Sequence, residues 1–211
     1  MNTHLIAALA AGDASTRLKA ALAIGSNPEP SLADTLIARC AIESDFYVRD
    51  MLTWALTRLP SEITVPRLVA ELGSERAQAR SQALHTLSKV KDSSAWPAIT
   101  RSLLSDPDDE VARSAWRAAV VLVPEGQEKD MAEELAAQLG RGDREVQLSL
   151  SRALVALGEE VVGPALQKAM ACGDPSVHAH ARSTERLLRN PDAGSENAVK
   201  EAKRIFALGK K

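Results

Sequence analysis

Arg113 and Arg117 lie one helical turn apart, and Arg152 follows in the stretch SLSRALVAL. A guanidinium presents its donors as a rigid fork that matches carboxylate or phosphate oxygens two at a time. Like charges this close repel unless acids or an anionic ligand offset them, so the set predicts a seat for a carboxylate-rich peptide or a phosphate. Trp54 offers a flat anchor beside it, His85, His180 and Gln82 offer hydrogen-bonding edges, and Asp50 is the balancing acid. The blander alternative is a solvated helix face whose arginines pair with acids close by in the chain.

Bond-making chemistry has no comparable signature. The histidines are His4, His85, His178 and His180; the last two are two residues apart, which puts them on different sides of a helix rather than on one metal-binding face. A GxSxG nucleophile elbow and a Walker glycine loop are absent, and Ser149 and Ser151 have no histidine near them in sequence. No catalytic residue, metal site or cofactor is therefore expected. The reading is a non-enzymatic binding protein whose partner is a protein or peptide, with an acidic one favoured by the arginines.

Composition narrows the class. Charged residues make up 26% of the chain and apolar ones 45%, which argues for a folded core. Aromatics are only 3% and alanine is abundant, which suits closely packed helices better than sheets. A net charge of −2 and a pI near 6.1 argue against a nucleic-acid coat. Cys40 and Cys172 are far apart with no CxxC, so no disulfide framework is indicated and a reducing cytoplasm is the expected compartment. The apolar run Leu5–Ala11 has no basic lead and is too short to span a bilayer.

The elements that must position these residues come as repeats. TVPRLVAELGSERAQARSQALHTL from Thr64, AWPAITRSLLSDPDDEVARSAWRAAVVL from Ala95 and VGPALQKAMACGDPSVHAHARSTERLL from Val162 share one plan. A proline opens an apolar-periodic stretch, a Gly/Ser/Asp/Pro turn follows, and a second stretch begins. Taking Thr16, Val48, Ala79, Val111, Val146 and Val177 as openers of the second helices gives six copies spaced about 32 residues apart, a helical-hairpin period. The one long step carries Pro124-Glu125-Gly126, a loop insertion. Pro66, Pro97 and Pro164 are expected to open first helices, where a missing N–H costs nothing. Positions +4 and +7 from each opener, such as Leu52 and Leu150, should be core, and position +1 carries Arg17, Arg49 and Arg80 as a basic ladder. Trp96 and Trp116 read as packing residues.

In VPRL at Val65–Leu68, WPAI at Trp96–Ile99 and GPAL at Gly163–Leu166, with the aspartate turns and Val48-Arg49 and Ala79-Arg80, the chain resembles the HEAT-repeat family. The likeness is to its short bacterial form, found also in phycobilin lyase-like proteins. It spans roughly residues 1–190 and implies an all-α, right-handed α-solenoid of about six helix pairs, the second helices lining a concave face. The His-Glu pairs of di-iron hydroxylases with a HEAT-like fold are missing. Other members of this architecture imply two alternatives: nucleic-acid binding, as in alkyl-purine DNA glycosylases, and an accessory subunit of an enzyme such as a chromophore lyase. On a concave second-helix face, position +6 gives Leu22, Trp54, His85, Arg117, Arg152 and Ser183, while +3 adds Gln82 and His180 and +2 adds Asp50 and Arg113. Residues 191–211 break the period. A terminal helix with Ala198, Val199, Ala202, Ile205 and Phe206 on one face is expected to cap the last repeat, with a docking helix as its alternative.

Overall fold

The computed structural model describes residues 2–190; the expected C-terminal helix and basic tail lie outside the described residues. Within 2–190 the chain forms twelve α-helices and two 3-10 turns, and no strand is found among the described residues. They fall into two compact units that divide between Glu125 and Gly126, inside the insertion seen in the sequence. The first holds α1 (Asn2–Leu9) with α2 (Ala14–Ser26), α3 (Ala33–Cys40) with α4 (Phe46–Thr57), α5 (Ser61–Glu71) with α6 (Ala77–Val90), and α7 (Arg101–Leu104) with α8 (Asp109–Leu122). The second holds α9 (Glu128–Ala136) with α10 (Arg144–Ala156), and α11 (Glu159–Met170) with α12 (Pro175–Arg189). These are the six expected pairs.

Five of the six second helices begin with the same device. Asp13, Asp45, Asp108, Asp143 and Asp174 each accept a backbone N–H from the opener at 2.9–3.3 Å. A side-chain acceptor there satisfies one of the four orphan amides of a helix start, worth about 1 kcal/mol. The openers are therefore third residues of their helices rather than first. In α6 the residue at the cap is Arg76, which makes no side-chain cap bond; its own N–H donates to Ser74 Oγ at 3.3 Å.

The prolines sit deeper than expected. α5 starts at Ser61 and α11 at Glu159, so Pro66 and Pro164 are sixth residues, inside their helices. Both are solvent-exposed, so water can satisfy the carbonyl one turn earlier that lacks its amide partner. Pro97 lies in the 3-10 turn Ser93–Ala98, and the first helix of that repeat shrinks to the four residues of α7.

The core register follows the repeat. In the first unit Leu52, Ala55, Ala83, Thr86, Ala115 and Ala118, and in the second Leu150, Ala153, Ala181 and Thr184, are at most 6% exposed. Small residues at these positions let α6 and α8 approach closely enough for Ser81 Oγ to meet Ser114 Oγ at 3.0 Å. In the second unit, Ser151 Oγ meets Thr184 Oγ1 at 2.8 Å between α10 and α12. Trp116 is fully buried and its Nε1–H donates to the Leu104 carbonyl at 2.8 Å, while Trp96 is half-buried.

Candidate functional site

The basic ladder at position +1 is spent on the fold. Arg17 Nη1 donates to the carbonyls of Ala11 and Gly12, Arg49 Nη1 to Glu43 and Ser44, and Arg80 Nη1 to Ser74 and Glu75, at 2.8–3.2 Å. Each arginine thus reaches back to the turn that precedes its own helix. Arg17 also grips Glu43 of the next repeat at 2.7 and 2.8 Å, and Arg80 grips Asp106 of the next at 3.0 and 3.1 Å. Arg39 adds two further bonds to Glu43, which has no exposed surface. Burial alone would raise the Glu43 pKa, but bonds from Arg17, the Asp45 N–H and Arg39 outweigh it and hold the carboxyl at about 2.

What the ladder leaves free is a face of the first unit made by α4, α6 and α8. Trp54 is 38% exposed on α4, and its ring lies where a side chain on Gly25 of α2 would stand. Gly25 therefore seats an indole that is open to solvent on its other side. Leu22, one turn before Gly25 on the same face of α2, is 47% exposed beside it. Asp50, one turn before Trp54, is exposed, and on α6 Gln82 and His85 are half-buried.

His85 joins this surface to α8. Arg117 Nη1 lies 3.1 Å from His85 Nδ1; guanidinium can only donate, so Nδ1 accepts and the ring proton sits on Nε2, facing outward from the pair. Burial, then Arg117 and Lys89, push the His85 pKa down to about 4, against a pull from Asp50. Partial burial and then Arg113 alongside lower the Arg117 pKa from its ordinary value. Arg117 itself is exposed and meets no carboxylate within ion-pair distance among the described residues. Arg113 behaves as the blander reading anticipated: its Nη1 is taken by Glu110 of the same repeat at 2.6 Å, while its Nε is buried without a partner.

The second unit carries the remaining two candidates. Arg152 is exposed on α10. His180 is a correction: it is 3% exposed and belongs to the core. The Gly140 N–H donates to its Nδ1 at 3.0 Å, so Nε2 carries the proton and donates to the Gln147 carbonyl at 2.9 Å, with Ser151 Oγ at 3.1 Å. Both edges of the ring are used up. Sequence spacing missed this because position +3 faces the preceding second helix, where exposure depends on the neighbour; Ser114, also at +3, is buried against Ser81 for the same reason. Spacing also missed the Gly25 seat, which only the packing of α2 on α4 creates.

No group of three or more His, Cys, Asp or Glu side chains is arranged to hold a metal ion among the described residues. No helix among them is long and apolar enough to cross a membrane.

The model of HEAT repeats matches residues 40–120, which cover α4 to α7 and most of α8. The likeness to HEAT repeats falls on this stretch of the chain. Among solved structures the chain is similar to the complex of CpcE and CpcF of phycocyanin lyase from Nostoc sp. PCC7120. The identity is 24% and the TM-score 0.51, over 87% of this chain and 75% of that one, a likeness of fold. It also matches an engineered protein at 22% identity and a TM-score of 0.45, over 88% of this chain and 57% of that one. No curated protein matches the chain. The candidate face thus lies mostly on the matched HEAT repeats, α4, α6 and α8 being their second helices, with α2 just outside.

Proposed function

We propose that this HEAT-repeat scaffold binds a protein or peptide partner on the second-helix face of its first unit, centred on Trp54, His85 and Arg117. One observation carries the reading. A large indole is held open to solvent on a glycine seat, in a chain where Trp116 is wholly buried. Exposing an aromatic surface costs hydration free energy that packing would otherwise recover, and buried aromatic anchors are what most often dominate protein interfaces. Asp50 on α4, Gln82 on α6 and Arg113 on α8 supply the polar rim such interfaces have. Arg152 extends the proposal to the second unit as a separate contact. The role needs no catalytic group, and the compartment proposed is the cytoplasm.

The likeness to a complex of two lyase proteins supports a companion subunit as one form the partner takes. The nucleic-acid alternative is not favoured by the comparisons. The test is affinity capture from the native cell with the unaltered chain, with a Trp54→Ala, Arg117→Ala double variant and with Arg152→Ala. Partners lost only with the double variant support the face. Partners retained by it at unchanged yield, with helical signal intact in every variant, defeat the proposal.

A further inference from the structure

The face just described has a charge of its own and a direction. Along the exposed and half-buried positions of α2, α4 with its C-cap, α6 and α8 it presents Lys19, Arg58, Lys89, Arg113 and Arg117 as cations, against Asp50, Asp109 and Glu110. Lys19, Arg58 and Lys89 fall one turn from Leu22, Trp54 and His85 respectively, so they belong to the same stripe. The chain as a whole is acidic at −2, so this positive excess is local. Cations run along the whole stripe, but its exposed apolar groups lie at one end only. Leu22 and Trp54 meet at α2 and α4, while Arg113 and Arg117 meet at α8, with His85 between them.

Resting on the proposed binding face, we infer that its occupant is an extended acidic peptide segment of another protein, with an apolar side chain on Trp54 and a carboxylate on Arg117. Neighbouring packed helices stand about 8–10 Å apart, so α4 and α8 are separated by about 16–20 Å. An extended chain covers about 3.3 Å per residue, which places the apolar residue about five or six positions from the carboxylate. At the cationic end the geometry suits a carboxylate. Arg117 gives one N–H to His85 and keeps its remaining donors, and the His85 Nε2–H is available beside it. An anion there would offset the Arg113–Arg117 repulsion.

The test uses the full chain and synthetic octapeptides, each with one phenylalanine or leucine and a run of three glutamates placed four to seven residues away, in both chain directions. Each has a twin in which glutamines replace the glutamates. Binding is followed by calorimetry and by tryptophan emission, with Arg117→Ala, Trp54→Phe and Gln167→Ala as variants. At least one glutamate peptide should bind tenfold or more tightly than its twin and weaken as salt rises. It should lose tenfold in Arg117→Ala and change emission in the parent but not in Trp54→Phe, with Gln167→Ala, at an exposed position of α11, unaffected. Equal binding of the twins, with the Trp54 response intact, would sink the acidic occupant while the face stands. Binding indifferent to Arg117 and Trp54 would sink the face as well. Absence of binding by every peptide at millimolar concentration overturns the inference and leaves the face to the capture experiment.

Discussion

Gly25 lies in the last turn of α2, where alanine would ordinarily be favoured by up to about 1 kcal/mol. Here the added methyl would land on the Trp54 ring and press on the Ala55 backbone. Gly25→Ala should therefore destabilise the first unit by about 1–3 kcal/mol, as overpacking does, and shift tryptophan emission. Chemical denaturation followed by fluorescence checks both, and a stabilised variant with unaltered emission would show that the seat does not exist. His180 gives a second prediction at this scale. Its ring is neutral, with burial lowering its pKa, and protonating Nδ1 would set a second N–H against that of Gly140. A histidine whose folded pKa is depressed contributes stability that is present above its unfolded value near 6.5 and lost as pH falls below it. The second unit should therefore weaken as pH falls below about 6.5, a trend that His180→Gln should flatten in melts taken from neutral into acidic pH. Residue types pointed correctly to Trp54 and Arg117 as exposed, because +6 lies well off the stripe made by +4 and +7. They misjudged His180, because hydrogen-bonding partners on another helix are invisible to spacing.

At the scale of elements, the second helices were legible in detail. An aspartate cap, a β-branched or small opener and core residues at +4 and +7 are local signals, and the buried Leu52 and Leu150 match them. Leu150→Ala should cost about 2–5 kcal/mol, whereas Gln167→Ala, at an exposed position of α11, should stay within about 0.5 kcal/mol; urea midpoints compare the two. First helices were less legible, since proline marks an exposed sixth position rather than a start. Least legible was the purpose of Arg17, Arg49 and Arg80, because their acceptors are backbone carbonyls that no side-chain pattern reveals. Glu43 sits at the centre of that system. Replacing it by alanine strands Arg17 in the interior, and removing one member of a buried pair costs about 3–5 kcal/mol. Its folded pKa near 2 lies below the ordinary carboxylate value, so its contribution is complete above about pH 4.3 and drains away as pH falls toward 2. Acid titration of Glu43→Gln should lack that portion of the unfolding curve.

For the molecule as a whole, six pairs could be counted from the period, but the division into two compact units could not. Only the structure shows that the insertion at Pro124-Glu125-Gly126 is where intramolecular contacts thin out. Glu125 and Gly126 are exposed there, so a glutamate-specific protease should cut first at Glu125 and leave two fragments near the sizes of the units. Initial cleavage elsewhere within 2–190 would contradict the division. The backbone-gripping arginines carry a further consequence for how such a chain can change. Each measures off its turn, since its two acceptors lie five and six residues behind it. One residue inserted into any of those three turns would break the measure and cost the guanidinium its two carbonyl acceptors. Such a scaffold can lengthen by duplicating whole hairpins, or drift in the links between them, while the short corner inside each hairpin stays the same length.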